Sequence, residues 1–281
     1  MIPEEQLKQN LQSLAKNEYQ LTEADDLETF LQAMVTHIGS LDPELRDDLI
    51  YTTFVNLIYR QQAFSAGQLR YVLQKVLDEE HLFYGIGEQD TDSVFTRTFS
   101  VLLLPLILIA HRRQPFLSPL EVGQVQQSLL RYLHEERDRR GYVQGKGWAH
   151  AIAHAADALD DLAQCVELGA DELREILHEV RSLVCIADTV YTHGEDERLV
   201  TPVIAILRRE LLPEEEIIRW VEGFSEAVLV VEDMPARLYI QGNVSNFLQA
   251  LFFRLTWAHL SGPLGAAITE TLREMNRFAG D

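Results

Sequence analysis

Ser118–Glu136 reads SPLEVGQVQQSLLRYLHEE. Ser118, Pro119 and Glu121 have the form of a capping box with a first-turn proline, the chemistry that satisfies the open amides of a helix start. Behind that start the apolar residues Val122, Val125, Leu129 and Leu133 recur at spacings of three and four, the stripe of an amphipathic helix. The same spacing runs through nearly every other segment, and no alternating run bounded by turn signals marks a strand. Asp42-Pro43 marks a second helix start, and Pro213 a third, followed by three glutamates suited to the positive end of the helix dipole. The chain is therefore expected to be all-α. The spacing predicts helices over 3–16, 23–38, 42–62, 65–79, 92–112, 118–136, 147–167, 171–192, 196–210, 213–231, 236–260 and 263–278.

The connections are mostly short, so consecutive helices should pack as antiparallel neighbours. Stacked hairpins of this length give an α-α superhelix of the HEAT kind, with a globular helical bundle as the alternative. Neither a tetratricopeptide nor an ankyrin consensus is present, and no low-complexity linker divides the chain, so residues 1–281 read as a single all-helical domain. Two loops are long and rich in functional residue types, Glu80–Thr91 and Glu135–Lys146.

Twenty-four Lys and Arg against 44 Asp and Glu leave a net charge of −20, which counts against a nucleic-acid or anionic-membrane partner. The start, MIPEEQLKQN, lacks an apolar signal region, and a cytoplasmic protein is expected. Val101–Ala110, VLLLPLILIA, is about half of the ~20 residues that cross a bilayer and contains Pro105, so it reads as a buried core helix with a kink. Cys165 and Cys185 read as free thiols.

The chemistry-bearing residues gather in Lys146–Ala163, KGWAHAIAHAADALDDLA. At about 100° per residue, His150, His154, Asp157 and Asp161 fall within one narrow helical stripe. Histidine and aspartate are poorer helix formers than the residues of an ordinary solvated face, so the stripe reads either as a groove or packed polar network or as a plain polar face. Two histidines at i and i+4 with an aspartate three residues on could also ligate a divalent metal ion, making His150, His154 and Asp157 candidate ligands, although the zincin glutamate is missing. Upstream, Arg139–Trp148 fails the P-loop pattern by one residue and by the lack of a following Ser or Thr. Arg139, Arg140 and Lys146, with the amides of a helix start, remain candidate anion contacts, set against a plain helix cap and tight turn. Two acidic clusters precede helices. In Gly85–Arg97, Asp92 or Ser93 can cap and Arg97 can pair back; in His193–Arg198 one histidine accompanies three carboxylates.

Several of these segments resemble one family. Ile38-Gly39-Ser40, Asp42–Asp47 with Tyr51, Tyr84–Glu88, Asp92–Arg97, Arg140–Val143, Lys146–His150 with His154, and Glu197-Arg198-Leu199 are similar to bacterial proteins grouped as domain of unknown function 2785. The resemblance covers the chain to about residue 200 and more weakly beyond. It implies a bacterial all-helical protein and brings no activity, substrate or catalytic residue.

Two functions are compatible with these residues. The first is a helical-repeat module that binds a protein or peptide through its acidic surface and through Tyr142 and Trp148. The second is a metal-assisted hydrolase with its pocket on the helix of His150, His154 and Asp157, where Arg140 or Lys146 holds an anionic substrate group. No nucleophile elbow or Ser-His-Asp arrangement is present.

Overall fold

The computed structural model describes residues 2–22 and 26–276. Among these residues the protein is all-α, with twelve helices and one two-residue β pair. The chain divides into two compact units, Met1–Glu167 and Leu168–Asp281.

The first unit holds α1 (Glu4–Lys16), α2 (Leu27–Thr36), α3 (44–60), α4 (Ala66–Val76), α5 (Ser93–Arg113), α6 (Pro119–Glu135) and α7 (Ala151–Ala163). The α3 helix changes pitch along its length: Glu44–Tyr51 and Val55–Arg60 are π-helical, joined by the α turn Thr52–Phe54. Its start is capped as the sequence indicates, for the Asp42 carboxylate accepts the Glu44 amide at 3.0 Å. The capping box of α6 is complete: Ser118 Oγ accepts the Glu121 amide, and the Glu121 carboxylate accepts the Ser118 amide at 2.7 Å.

The core of this unit is α5. It is long and apolar enough to cross a membrane by length and composition, yet most of that apolar window is buried inside the protein. The helix continues through Pro105, and Val101, Leu103, Leu104, Ile107 and Leu108 are fully buried. Its closest neighbour is α7. That contact is possible because α7 is alanine-rich, with Ala151, Ala153, Ala155, Ala156 and Ala158 at most 1% exposed, so the two backbones approach closely.

The second unit holds α8 (Ala170–Val184), α9 (Glu195–Arg209), α10 (Glu214–Leu229), α11 (Ala236–Trp257) and α12 (Gly262–Met275). Trp220, Phe224 and Phe247 form its aromatic core, and the Trp220 Nε1–H donates to the Leu177 carbonyl at 2.9 Å.

Three sequence expectations need correction. No strand is expected, but Tyr142–Val143 (β1) and Gly147–Trp148 (β2) pair antiparallel, a hairpin too short to leave a readable alternation. The helix expected over 147–167 accordingly begins only at Ala151 and ends at Ala163. The helix expected over 171–192 ends at Val184, and the segment after it is tied to Asn243, buried in α11: its side chain accepts the Tyr191 amide and donates to the Thr189 carbonyl, each at 2.9 Å, so these residues are not helical. The expected helix start at 23 and end at 278 lie outside the described residues. Neither Cys165 nor Cys185 is in a disulfide, and burial pushes the Cys185 thiol up to about 11, an inert form at neutral pH.

Candidate functional site

The two long loops noted in the sequence, 80–91 and 135–146, meet beside the N-terminal end of α5. Arg97, one turn into that helix, is fully buried, and so is Glu136. They form a two-point ion pair, Nε to Oε2 at 2.7 Å and Nη2 to Oε1 at 3.0 Å. Arg97 also donates through Nη1 to the Tyr84 and Gly85 carbonyls and to Ser93 Oγ. Glu136 accepts the amides of Arg137 and Asp138 at 2.9 Å. Every hydrogen-bonding group on this pair faces a partner, as a buried charge requires. Tyr132 is buried nearby; burial, then the Glu136 charge, push its phenol upward. The sequence expectation that Arg97 pairs back to its neighbouring acidic cluster is thus corrected: its ionic partner lies 39 residues away.

Asp138 extends the frame. Its carboxylate takes the Arg140 guanidinium Nε at 2.9 Å and the Asp90 amide at 3.0 Å, and Arg140 also donates to the Thr91 carbonyl at 2.7 Å. The Asp138 hydrogen bond holds Arg140 above the ordinary arginine value. Lys146 Nζ sits 2.6 and 2.8 Å from the Asp92 carboxylate oxygens. Asp92 therefore occupies the N-cap position of α5 without side-chain capping, which corrects the capping role expected for it. Of the three expected anion contacts, Arg140 and Lys146 already face a carboxylate of this chain.

A second buried arginine clamps the hairpin. Arg46, on the first π segment of α3, is fully buried with Phe95 and Phe99 rings at 4.3 and 4.6 Å from its guanidinium carbon. It donates to the Ser40 carbonyl at 2.7 Å and to the Lys146 carbonyl at 2.6 Å, and its Nε lies 2.8 Å from Asp47. Burial pulls this guanidinium down and pushes the Asp47 carboxyl up, each charge opposing the shift of the other. Gly147 packs onto the same group. Its φ is +83°, and a Cβ there would lie 2.9 Å from Arg46 Nη2 and 3.1 Å from Pro43 Cβ, so the position requires glycine.

The hairpin is thereby fixed on one face and open on the other. Val143 packs on Val94, Phe95 and Ala149. Tyr142 and Trp148, directly opposite each other in the register, point outward with 51% and 40% of their surface exposed. Their rings meet edge to face at 5.1 Å. The Trp148 ring stacks on His150 at 4.4 Å, His150 meets His154 at 5.8 Å, and His154 meets Phe99 at 5.3 Å. An aromatic ladder thus runs from the surface into the contact between α5 and α7.

His150 stands at the N-cap of α7 with φ +53°, outside the helical phase expected for it. A left-handed histidine persists where its surroundings hold it, here by hairpin bonds from the Ala149 amide to the Gly141 carbonyl and from the His150 amide to the Arg140 carbonyl. His150, His154 and Asp161 are each less than 10% exposed, and Asp157 is half-buried. The His154 Nδ1–H donates to the Thr98 carbonyl at 3.2 Å. Among the described residues no group of three or more His, Cys, Asp and Glu could hold a metal ion, and His150, His154 and Asp157 do not make one. The His193–Arg198 turn lies in the second unit at the start of α9, where Glu195 accepts the His193 amide at 2.9 Å. The sequence gives no individual role to Arg46, Glu136, Asp138 or Gly147; Arg46 and Gly147 lie in the segments that carry the family resemblance, and Glu136 and Asp138 in the charged run Glu135–Arg140.

At the far end of the α7 stripe, burial pushes the Asp161 carboxyl up to about 6, and the Arg112 guanidinium opposes this. The folded form holds a proton that the unfolded chain, near the ordinary 3.8, releases. Its stabilisation is complete below about pH 4 and lost as pH rises through about 6. Asp161→Asn should therefore gain stability relative to wild type between pH 4.5 and pH 7, by about 2 kcal/mol. Urea titrations at those pH values check this; parallel pH dependences for the two proteins would refute it.

Fold and site together define an all-α protein with an aromatic hairpin mounted on a buried ionic frame. A family model described as Protein of unknown function (DUF2785) matches residues 82–253, more than half of the chain, and the protein belongs to this family. The match includes Arg97, Glu136 and the hairpin, while the resembling segments at 38–51 precede it. Comparison with curated proteins and with solved structures found no match.

Proposed function

We propose that this protein is a binding module of stacked helical hairpins, and that Tyr142 and Trp148 anchor a protein or peptide partner carrying Lys or Arg side chains. The observation that carries this reading is the exposed aromatic pair on a backbone held by Arg46, Lys146 and Val143. Large aromatics half in water and already fixed in orientation lose little entropy on binding, the property of interface hot spots. The cationic preference follows from charge. The loop tied to the hairpin base through Arg140 and Asp138 carries Glu88 and Asp90 exposed, and the whole chain is at −20. An Arg or Lys over the Tyr142 or Trp148 face then gains both cation–π and long-range attraction.

The stacking reading draws on the packing order. In the first unit α1 packs on α3, α2 on α4, α3 on α5 and α5 on α7; in the second α9 packs on α11 and α10 on α12. These contacts to the next helix but one, together with contacts between consecutive helices such as α4–α5, α6–α7, α8–α9 and α11–α12, are of the kind that stacks successive hairpins in an α-α superhelix. The proposed site is cytoplasmic and meets neither nucleic acid nor membrane. The metal-assisted hydrolase gains no support from the donor geometry.

The test is binding of a peptide library graded in Lys and Arg content by wild type and by Tyr142→Ala/Trp148→Ala. Basic peptides should bind, and the variant should lose roughly thirtyfold in affinity, about 2 kcal/mol, with its melting temperature retained. Equal binding by both proteins, or a preference for acidic peptides, would overturn the proposal.

A further inference from the structure

Large apolar side chains are exposed on and just after α11. Leu238, Phe253, Trp257 and Leu260 are 52%, 52%, 72% and 46% exposed, and Asn246, Gln249 and Thr256 are exposed between them. At about 100° per residue the six that lie on the helix fall within one stripe about 100° wide, and Leu260 follows three residues past its end, after His259 at φ +58°. None is charged. No Asp or Glu occurs between Asp233 and Glu270, in a chain carrying 44 of them. Arg254 is drawn off the stripe, since its Nη1 donates to the Glu197 carbonyl at 3.0 Å and to Thr201 Oγ1 at 2.9 Å. The rings of Phe252, Phe253 and Trp257 are already in mutual contact at 5.6 and 6.1 Å. The opposite face of the helix, with Val244, Phe247, Leu248 and Leu251, is fully buried.

We propose that this stripe is a self-association surface on which α11 of a second copy of the chain packs across a two-fold axis. The occupant follows from charge. Two copies at −20 each repel over most of their surfaces, and they can approach only where carboxylates are absent. An anionic membrane would be repelled by the molecule as a whole. Aromatic enrichment with charge depletion is the composition of an interface core, and a two-fold contact needs one self-complementary patch. The helix is about 33 Å long. One such stripe lies at the low end of the area that stable complexes bury, so the dimer is weak, with dissociation in the micromolar range.

Sedimentation velocity of the full chain from about 1 to about 200 µM should show a monomer–dimer equilibrium. Raising salt should strengthen the dimer, because the copies repel through their net charge and attract through an uncharged stripe. Phe253→Glu/Trp257→Glu should weaken association at least about tenfold with an unchanged circular-dichroism melt, since both side chains face water in the monomer. Leu238→Lys, at the other end of the stripe, should weaken it as well and shares no contact with the first pair. A wild type that stays monomeric throughout the range, or a dimer that both variants leave intact, would overturn the proposal.

Discussion

Glu136→Ala is expected to lower the stability of the first unit by about 3–5 kcal/mol, the cost of leaving a buried charge without its partner. Arg97 has no exposed surface, and its other acceptors are two carbonyls and one hydroxyl. None of these neutralises a guanidinium. The double replacement Arg97→Met/Glu136→Leu removes the unpaired charge but strands the Tyr84 and Gly85 carbonyls and the Arg137 and Asp138 amides, so it should recover only part of the loss. Urea midpoints of the three variants measure both effects. Should Glu136→Ala prevent folding altogether, Glu136→Gln keeps the shape and the amide acceptor while removing the charge. A loss below about 1 kcal/mol in that variant would mean the pair contributes no more than a surface ion pair.

Gly39→Ala carries the second large effect, expected at about 3 kcal/mol or more from overpacking. A Cβ at Gly39 would lie 2.0 Å from Thr96 Oγ1 and 2.7 Å from the Thr96 Cα, a backbone atom of α5 that cannot rotate away. The chain turn at Ser40 and the core helix would have to separate. Arg46 reaches from the Ser40 carbonyl to the Lys146 carbonyl, so the same shift should disturb the hairpin and blunt peptide binding. Gly123→Ala is the control. Nothing lies within 4 Å of a Cβ there, and in the interior of α6 the substitution should stabilise by up to about 1 kcal/mol. Equal thermal shifts for the two substitutions would contradict the close approach at Gly39.

What the sequence makes legible is local. Helix starts at Asp42, Ser118 and Pro213 are readable because capping acts over three residues, and the apolar spacing carries the helix faces. The Lys146–His154 segment is legible as the place where functional residue types collect. Its form is not, since the hairpin depends on Arg46, 100 residues before its Lys146 acceptor, and on Glu136 meeting Arg97 across 39. Pair interactions at such separations leave no periodicity to read. His150 illustrates the consequence. Helical phase places it in line with His154 and Asp157, but the hairpin's own hydrogen bonds hold it in a left-handed conformation before the helix begins. The segment after α8 is held in the same way by Asn243 from α11, a residue whose role only the folded chain defines.

The central claim, that Tyr142 and Trp148 form a recognition surface, is tested most directly by ¹⁹F spectra of protein labelled with 5-fluorotryptophan. The chain has three tryptophans, at 148, 220 and 257, so each resonance can be assigned by single Trp→Phe replacement. On addition of a Lys- and Arg-rich peptide the Trp148 signal should move to saturation, Trp220 should stay fixed in its core, and Trp257 should respond only to protein concentration. A Trp148 signal that does not move while the peptide binds would contradict the account.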